Sequence, residues 1–236
     1  MNWLARTELL LGPEALEKLS HARVAVFGLG GVGGYAAEAL VRSGLGTIDL
    51  IDNDTISLTN LNRQIFALHS TIGQYKTEAA KARFLDINPS LSVNVHPVFF
   101  TPENSGIFDF SAYSYIIDAI DTVTGKIELA VQAQKNNIPL ISSMGTGNKL
   151  NPCRVEITDL SNTSVCPLAR VMRRELKKRG ITKLKVAYSS EEPKKPAQAD
   201  AAELAPGRRQ IPGSTAFVPP AAGLAIASAV IQDLIY

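Results

Sequence analysis

Cysteine is scarce in this chain of 236 residues, which holds two, Cys153 and Cys166. They lie thirteen positions apart, so they supply no disulfide framework, and a tetrahedral zinc site cannot be built from them without borrowed ligands. Such usage suits a reducing compartment. Met1 to Ser20 is mixed in character, with no charged-plus-apolar leader, and the expected location is the cytoplasm. A bilayer-length apolar run is also lacking. The run Ala221 to Ile231 is apolar almost all round, but its uninterrupted core falls short of the roughly 20 residues a span needs, so no membrane span is expected and a buried helix or, preferably, a subunit interface is the reading. Net charge is only +2, which confines any nucleic-acid surface to a local patch. Against these absences stands ordinary core material: 45% hydrophobic and 19% charged residues suit a single α/β domain over residues 1–236.

The segment from Val24 to Arg63 organises the rest. Val24, Ala25, Val26 and Phe27 read as a buried strand, which Gly28, Gly30 and Gly33 then break. Glycine there permits a tight turn, brings backbone N–H groups close to a phosphate and lets the next helix pack against its strand. That helix, roughly Val32 to Ser43, points its positive end at an anion on the loop. A second strand, Thr47 to Ile51, delivers Asp52 nineteen residues after Gly33, placed to accept hydrogen bonds from ribose hydroxyls. A dinucleotide dehydrogenase is the usual owner of this pattern. Arg63, and Lys76 thirteen residues later, change the picture, because a pyrophosphate served by a helix dipole needs few cations. Two extra cations suit a triphosphate whose departing pyrophosphate must be stabilised.

Four motifs now carry a resemblance: Gly-Leu-Gly-Gly-Val-Gly at 28–33, the stretch Asp52 to Gln64 in the form Asp-x-Asp-x-Ile-x-x-x-Asn-Leu-x-Arg-Gln, Lys76, and Asp121 within Ala119-Ile120-Asp121-Thr122. Together they resemble the adenylation core of the ubiquitin-activating superfamily over about 120 residues. The resemblance implies a Rossmann-like α/β adenylation domain with a mainly parallel sheet, and ATP with Mg²⁺ as cofactors. It implies a nucleotide site made by Gly28, Gly30, Gly31, Gly33, Asp52, Asp54, Asn60, Arg63, Gln64, Lys76, Asp121 and Thr122, with Asp52 on the ribose and Asp121 assisting the metal. Arg63, Lys76 and Asp121 are the implied catalytic residues. Arg6, six residues before Gly12, resembles a lead-in arginine that reaches the ATP of a second subunit, although Thr7 stands where relatives carry Gln. A solvated terminal arginine is the bland alternative. A homodimer is implied with it.

Along the remaining chain, Glu14 to Leu19 reads as a short amphipathic helix after Gly12-Pro13, and Lys76 to Asn88 as a helix with one buried stripe. Lys76 opens that helix unopposed by an earlier carboxylate, placed to face an anion, with a merely exposed first-turn lysine as the bland alternative. Strands are expected at Leu91 to Val95, Ser114 to Ala119, Pro139 to Ser143 and Arg154 to Ile157, with a helix near Val123 to Asn136 and an apolar helix from Pro219 to Tyr236. This alternation implies parallel strands with right-handed crossovers and a ligand at their carboxyl ends. Asp118 competes with Asp121 as the important acid, and the motif favours Asp121. Gly145 to Lys149 either floors the acyl end of the site or is a plain turn. Between Arg170 and Lys185 eight cations face a single acid, Glu175, and Lys194, Lys195, Arg208 and Arg209 continue the bias. Solvated faces account for most charge runs, but this asymmetry suits a phosphate backbone. Ser189 to Gly213, rich in Pro, Ala and charge, is expected to be a mobile loop.

Relatives that activate sulfur carriers typically show paired Cys-x-x-Cys zinc motifs, which this chain lacks, so no zinc is expected. With a basic flank and no zinc it is most similar to the subgroup of tRNA threonylcarbamoyladenosine dehydratases, through Arg6 to Gly12, Asp118 to Asp121, Arg209 to Ser214 and Phe217 to Pro219. That similarity implies a tRNA partner and ATP-dependent cyclisation of the modified base. It leaves open a sulfur-transfer partner and a monovalent cation that orders a loop. The competing readings are an adenylyltransferase for a ubiquitin-like sulfur carrier and a non-catalytic tRNA-binding scaffold.

Overall fold

Alternating burial of Val24, Ala25, Val26 and Phe27 against both faces makes β1 (Arg23–Phe27) the hub of a seven-stranded sheet. The computed structural model describes residues 2–196 and 212–236. β1 pairs in parallel with β2 (Thr47–Ile51) on one side and β4 (Tyr115–Asp118) on the other. With β3 (Ser92–His96), β5 (Leu140–Ser143), β6 (Val155–Asp159) and β7 (Lys185–Ser189), the order is β3-β2-β1-β4-β5-β7-β6. The direction of sheet growth therefore reverses between β1 and β4, which opens a crevice at their carboxyl ends.

Helices cover both faces. α3 (Gly33–Arg42), α4 (Lys76–Ile87) and α7 (Val218–Ile235) contribute Ala36, Leu40, Phe84, Ile226 and Val230 to one core with Val24, Val26, Ile48 and Leu50. α5 (Val123–Asn136) and α6 (Pro167–Lys177) bring Leu129, Ala133, Met172 and Leu176 to the other, around Phe27, Phe100, Phe108 and Phe110. Phe27 meets the Phe100 ring at 4.8 Å, edge to face. Two short helices, α1 (Ala5–Leu11) and α2 (Pro13–His21), precede the sheet.

Several expectations need correction. The strand at Val155–Asp159 is the antiparallel edge of the sheet, because the chain returns through α6 and inserts β7 between β5 and β6. β7 itself was hidden, with Lys185 read as the end of a cation run and Ser189 as the start of a loop. Ser189 is fully buried in that strand, and residues 197–211 of the expected loop, with Arg208 and Arg209, lie outside the described residues. α1 also escaped the sequence reading, since it buries no residue and turns Leu9 and Leu10 to the surface. α7, at 18 residues, is long and apolar enough to cross a membrane by length and composition, yet half of it is buried inside the fold. It lies close on α3, where a Cβ at Gly223 would stand 2.3 Å from the Val32 carbonyl oxygen. Asp233 near its end accepts hydrogen bonds from the Tyr115 hydroxyl at 2.7 Å and from Lys185.

Candidate active site

A turn at the end of β1 sets the site's geometry. Gly28 has φ +90°, and a Cβ there would sit 2.7 Å from the Ala119 carbonyl oxygen, so only glycine lets the loops after β1 and β4 lie against each other. Gly33 seats α3 on that turn, because its Cβ position is 1.8 Å from the Gly28 carbonyl oxygen. Around Gly30, by contrast, nothing approaches closer than Gln64 Nε2 at 4.0 Å, and this stretch of backbone faces open space. That space is a cavity of about 590 Å³ lined by Gly28, Gly30, Gly31, Asp52, Asp54, Arg63, Gln64, Lys76, Asp121 and Thr122. Ten predicted residues from five separate stretches thus meet at the carboxyl rim of β1, β2 and β4.

Asp52 is fixed before any ligand arrives. Its Oδ2 accepts the Leu29 N–H at 2.7 Å and its Oδ1 the Asp54 N–H at 2.8 Å. Burial raises its pKa above the ordinary carboxylate value, only partly opposed by Lys76 and those backbone donors. Lys76 corrects an expectation. Far from unopposed, its Nζ donates to Asp54 Oδ2 at 2.6 Å and lies 3.7 Å from Asp52 Oδ2, with the side chain only 6% exposed. The carboxylates come from the β2 carboxyl end, out of sight of a reading confined to one helix. Arg63 bonds instead to neutral groups, the Thr59 carbonyl at 3.1 Å and Asn62 Oδ1 at 2.9 Å. Burial lowers its pKa, the mark of a guanidinium held partly out of water. Gly31 gives it room, since a Cβ there would approach Arg63 Cγ to 3.2 Å.

Two predicted residues serve the cavity from outside it. Asn60 does not line it; its Oδ1 caps the Ser57 N–H at 3.1 Å and its carbonyl accepts the N–H groups of Arg63 and Gln64, so it shapes the turn that carries them. Gly33 acts through helix packing alone. Arg6 is elsewhere, on α1, where it lines a different hollow of about 630 Å³ with Leu10, Leu224 and Ile231. Asp121, the preferred acid, is exposed at the cavity, whereas Asp118 is fully buried and bonded to Lys126 and Ser142. Of the two acids, Asp121 is the one that lines the cavity.

Sequence reading missed the apolar wall of the cavity, formed by Ile51, Val98, Phe99, Phe100 and Ile120. Val98 to Phe100 follow β3, and the rule that ligands sit beyond strand carboxyl ends was the signal that could have found them. The Gly145 to Lys149 segment is more than a plain turn. Asn148 exchanges backbone and side-chain bonds with Gly213 at 2.7 Å, and buried Lys149 donates to the Ser189 carbonyl at 2.6 Å. Cys166 is buried and Cys153 exposed. Among the described residues no three His, Cys, Asp or Glu side chains cluster to hold a metal ion. A further cavity of about 550 Å³ opens at the opposite rim, beside Pro139, Asp159 and Gly180; it holds none of the predicted nucleotide-site residues but is lined by Lys183 and Lys185 of the cation run.

Comparison with known proteins adds a whole-chain likeness to this geometry. Residues 4–234 match the model of the ThiF family. The tRNA threonylcarbamoyladenosine dehydratase of Bacillus subtilis (strain 168) is 44% identical over an alignment that covers 100% of this chain and 95% of that protein. The Escherichia coli (strain K12) protein of the same name is 43% identical over 72% of this chain and 64% of its own length. Crystal structures of the E. coli tRNA N6-threonylcarbamoyladenosine dehydratase superpose with TM-scores of 0.88 in complex with AMP and 0.87 in complex with ATP, both at 35% identity. They cover 98% of this chain and 92% and 93% of those chains.

Proposed function

The chain belongs to the ThiF family, and from that premise we propose that it is an enzyme that dehydrates threonylcarbamoyladenosine in tRNA at the expense of ATP. One observation carries the reading beyond the likeness of sequence. Asp52, Arg63, Lys76 and Asp121, four charged groups from four stretches of chain, surround a single cavity at the sheet's switch point. In this reading the base lies against Ile51, Val98, Phe100 and Ile120, Asp52 accepts from ribose hydroxyls, and Gly28 to Gly31 present backbone N–H groups to the phosphates.

The threonyl carboxylate is a poor electrophile, so its oxygen first attacks the α-phosphorus of ATP, forming an acyl-adenylate and expelling pyrophosphate. Negative charge builds on the phosphates, and Arg63 and Lys76 are the cations placed to meet it. Arg63 is ready as it stands. Lys76 is held by Asp54 at 2.6 Å, and an ammonium with three protons can donate to a phosphate without giving up that bond. A carbamoyl oxygen or nitrogen of the same nucleoside then attacks the activated carbonyl carbon, AMP leaves, and the ring closes with loss of one proton. No enzyme thiol enters that intramolecular step. Asp121 is the residue that would hold Mg²⁺, since its carboxylate offers that hard cation an oxygen ligand at the cavity. The chemistry it would supply there is positive charge against the phosphates.

Two surfaces extend the proposal. α6 buries Ala169, Met172 and Leu176 and turns Arg170, Arg174 and Lys177 outward, followed by exposed Lys178, Arg179 and Lys183, a basic face for tRNA phosphates. Leu9, Leu10 and Leu224 leave apolar faces of α1 and α7 exposed around Arg6, which supports a homodimer in which Arg6 serves the neighbouring subunit. Neither surface needs a sulfur-transfer protein or a monovalent cation, which stay outside the proposal.

Incubation with ATP and tRNA bearing threonylcarbamoyladenosine should yield a nucleoside lighter by one water, together with AMP and pyrophosphate. No mass change with that tRNA, alongside pyrophosphate exchange driven by a protein ending in Gly-Gly, would replace this function with carrier-protein adenylation.

A further inference from the structure

Beneath the floor of the cavity lies an ion pair for which the reaction has no direct use. Lys126, in the first turn of α5, is 1% exposed and Asp118, the last residue of β4, is fully buried. Lys126 Nζ donates to Asp118 Oδ1 at 3.0 Å, to the Ser143 carbonyl at 2.8 Å and to Ser142 Oγ at 3.3 Å, so all three of its protons are committed. Asp118 is equally occupied: Oδ1 also accepts the Ile120 N–H at 3.3 Å, and Oδ2 accepts the Ser142 hydroxyl at 2.5 Å. Asp118 and Ser142 are register partners on β4 and β5.

Cohesion alone does not explain this choice of residues. Taking both charges out of water offsets most of their attraction, and a well-packed apolar pair would hold the strands as well. Fixed direction is what the ion pair adds. On one side it grips the turn that runs from Asp118 through Ile120 to Asp121 and Thr122, which line the nucleotide cavity. On the other it grips Ser143, the last residue of β5, from which Met144, Gly145 and Thr146 lead to the clasp at Asn148. α5 starts immediately after Thr122 and closes the triangle through the Lys126 N–H to Thr122 carbonyl bond at 3.1 Å.

We propose that Lys126 is a positioning residue that sets the loop carrying Asp121 against the loop after β5, and so aligns the α-phosphate with the attacking carboxylate. The assignment rests on the adenylation chemistry proposed above. Its effect falls chiefly on the rate of the chemical step, because the ribose contact at Asp52 and the phosphate contacts at Arg63 and Lys76 lie on other stretches of the chain. A displacement of about 1 Å at such a step costs on the order of a hundredfold.

The test uses the full chain and the double variant Lys126→Met with Asp118→Asn, which removes both buried charges together. Thermal unfolding, ATP affinity by calorimetry, and kcat and KM for ATP in the tRNA-dependent reaction are measured against the wild type. The double variant should unfold within about 5 °C of wild type. It should bind ATP within about threefold and lose at least roughly thirtyfold in kcat with little change in KM. Ser142→Ala, a change too small to threaten folding, should show the same split at about three- to tenfold. Wild-type kcat in either soluble variant overturns the assignment, as does a loss confined to KM or matched by weakened ATP binding. A wild-type enzyme inactive on the tRNA sinks the parent function instead, so the two failures are distinct.

Discussion

Gly28 and Gly30 stand two positions apart in one motif and do different work. At Gly28 the backbone is left-handed and a methyl group would collide with the Ala119 carbonyl, both fixed parts of the fold. At Gly30 a methyl group meets nothing within the protein closer than 4.0 Å and points into the space assigned to the nucleotide. Gly28→Ala should therefore destabilise the chain by about 3 kcal/mol, from strain and overlap together. Gly30→Ala should unfold at the wild-type temperature and bind ATP at least tenfold more weakly, since a methyl group fills the approach to the phosphates. Calorimetric unfolding and ATP titration of the two proteins check this. Equal loss of stability in both would mean that the motif serves the fold alone. The cations obey a similar division, with Arg63 bonded to neutral groups and Lys76 held by Asp54, so burial and pairing at the single residue separate what spacing alone treats as equivalent.

Among the elements, α6 shows how a charge run divides its labour. Glu175 neutralises part of it, with Arg174, Lys178 and Arg179 at 3.0, 2.9 and 3.5 Å, and the hydrogen bonds from Lys178 and Arg174 pull its pKa down to about 2. Arg173 turns inward onto the carbonyl oxygens of Leu160 and Thr163. Arg170 and Lys177 stay on the exposed face beyond Glu175's reach and are the phosphate contacts to expect. Replacing both by alanine should weaken binding of any tRNA alike and reduce the log–log salt slope by about 1.5, as two lost counterion releases require. Filter binding across a salt series would show it, and an unchanged slope would remove α6 from the interface. The same element explains what was legible beforehand. α5 was readable from Ile127, Leu129, Ala130 and Val131 ahead of Pro139, the bounds of β2 from Ile48, Leu50 and Ile51 between Gly46 and Asp52, and Asp52, Arg63 and Asp121 because motif spacing survives without tertiary knowledge. β7 was not, since a lysine opens it and the chain reaches it only after α6 has crossed the sheet. Lys126 was missed for the same reason: its partners Asp118, Ser142 and Ser143 are brought to it by pairing of β4 with β5.

For the whole molecule the position of Arg6 is the decisive fact. It lies on α1 in a hollow bordered by α7, apart from the cavity that holds Arg63 and Lys76 in its own chain. Were Arg6 to act on the nucleotide of a second copy, each site would draw Asp121 from one subunit and Arg6 from the other. A twofold dimer makes two such sites, and crossing two defects then has an arithmetical consequence. Arg6→Ala and Asp121→Ala should each be inactive as pure proteins, because every site lacks one of the two groups. Mixed and allowed to exchange subunits, they pair at random, and half of the dimers carry one chain of each kind. In such a dimer one site receives intact Asp121 from one chain and intact Arg6 from the other, while its twin lacks both. About a quarter of all sites are therefore complete, and the mixture should recover about a quarter of the wild-type rate. Recovery should follow the rate of subunit exchange and vanish when the subunits are cross-linked before mixing. A mixture that stays inactive after verified exchange would assign Arg6 to its own chain or to no part of the chemistry, and would leave the exposed faces of α1 and α7 without a catalytic reason to meet.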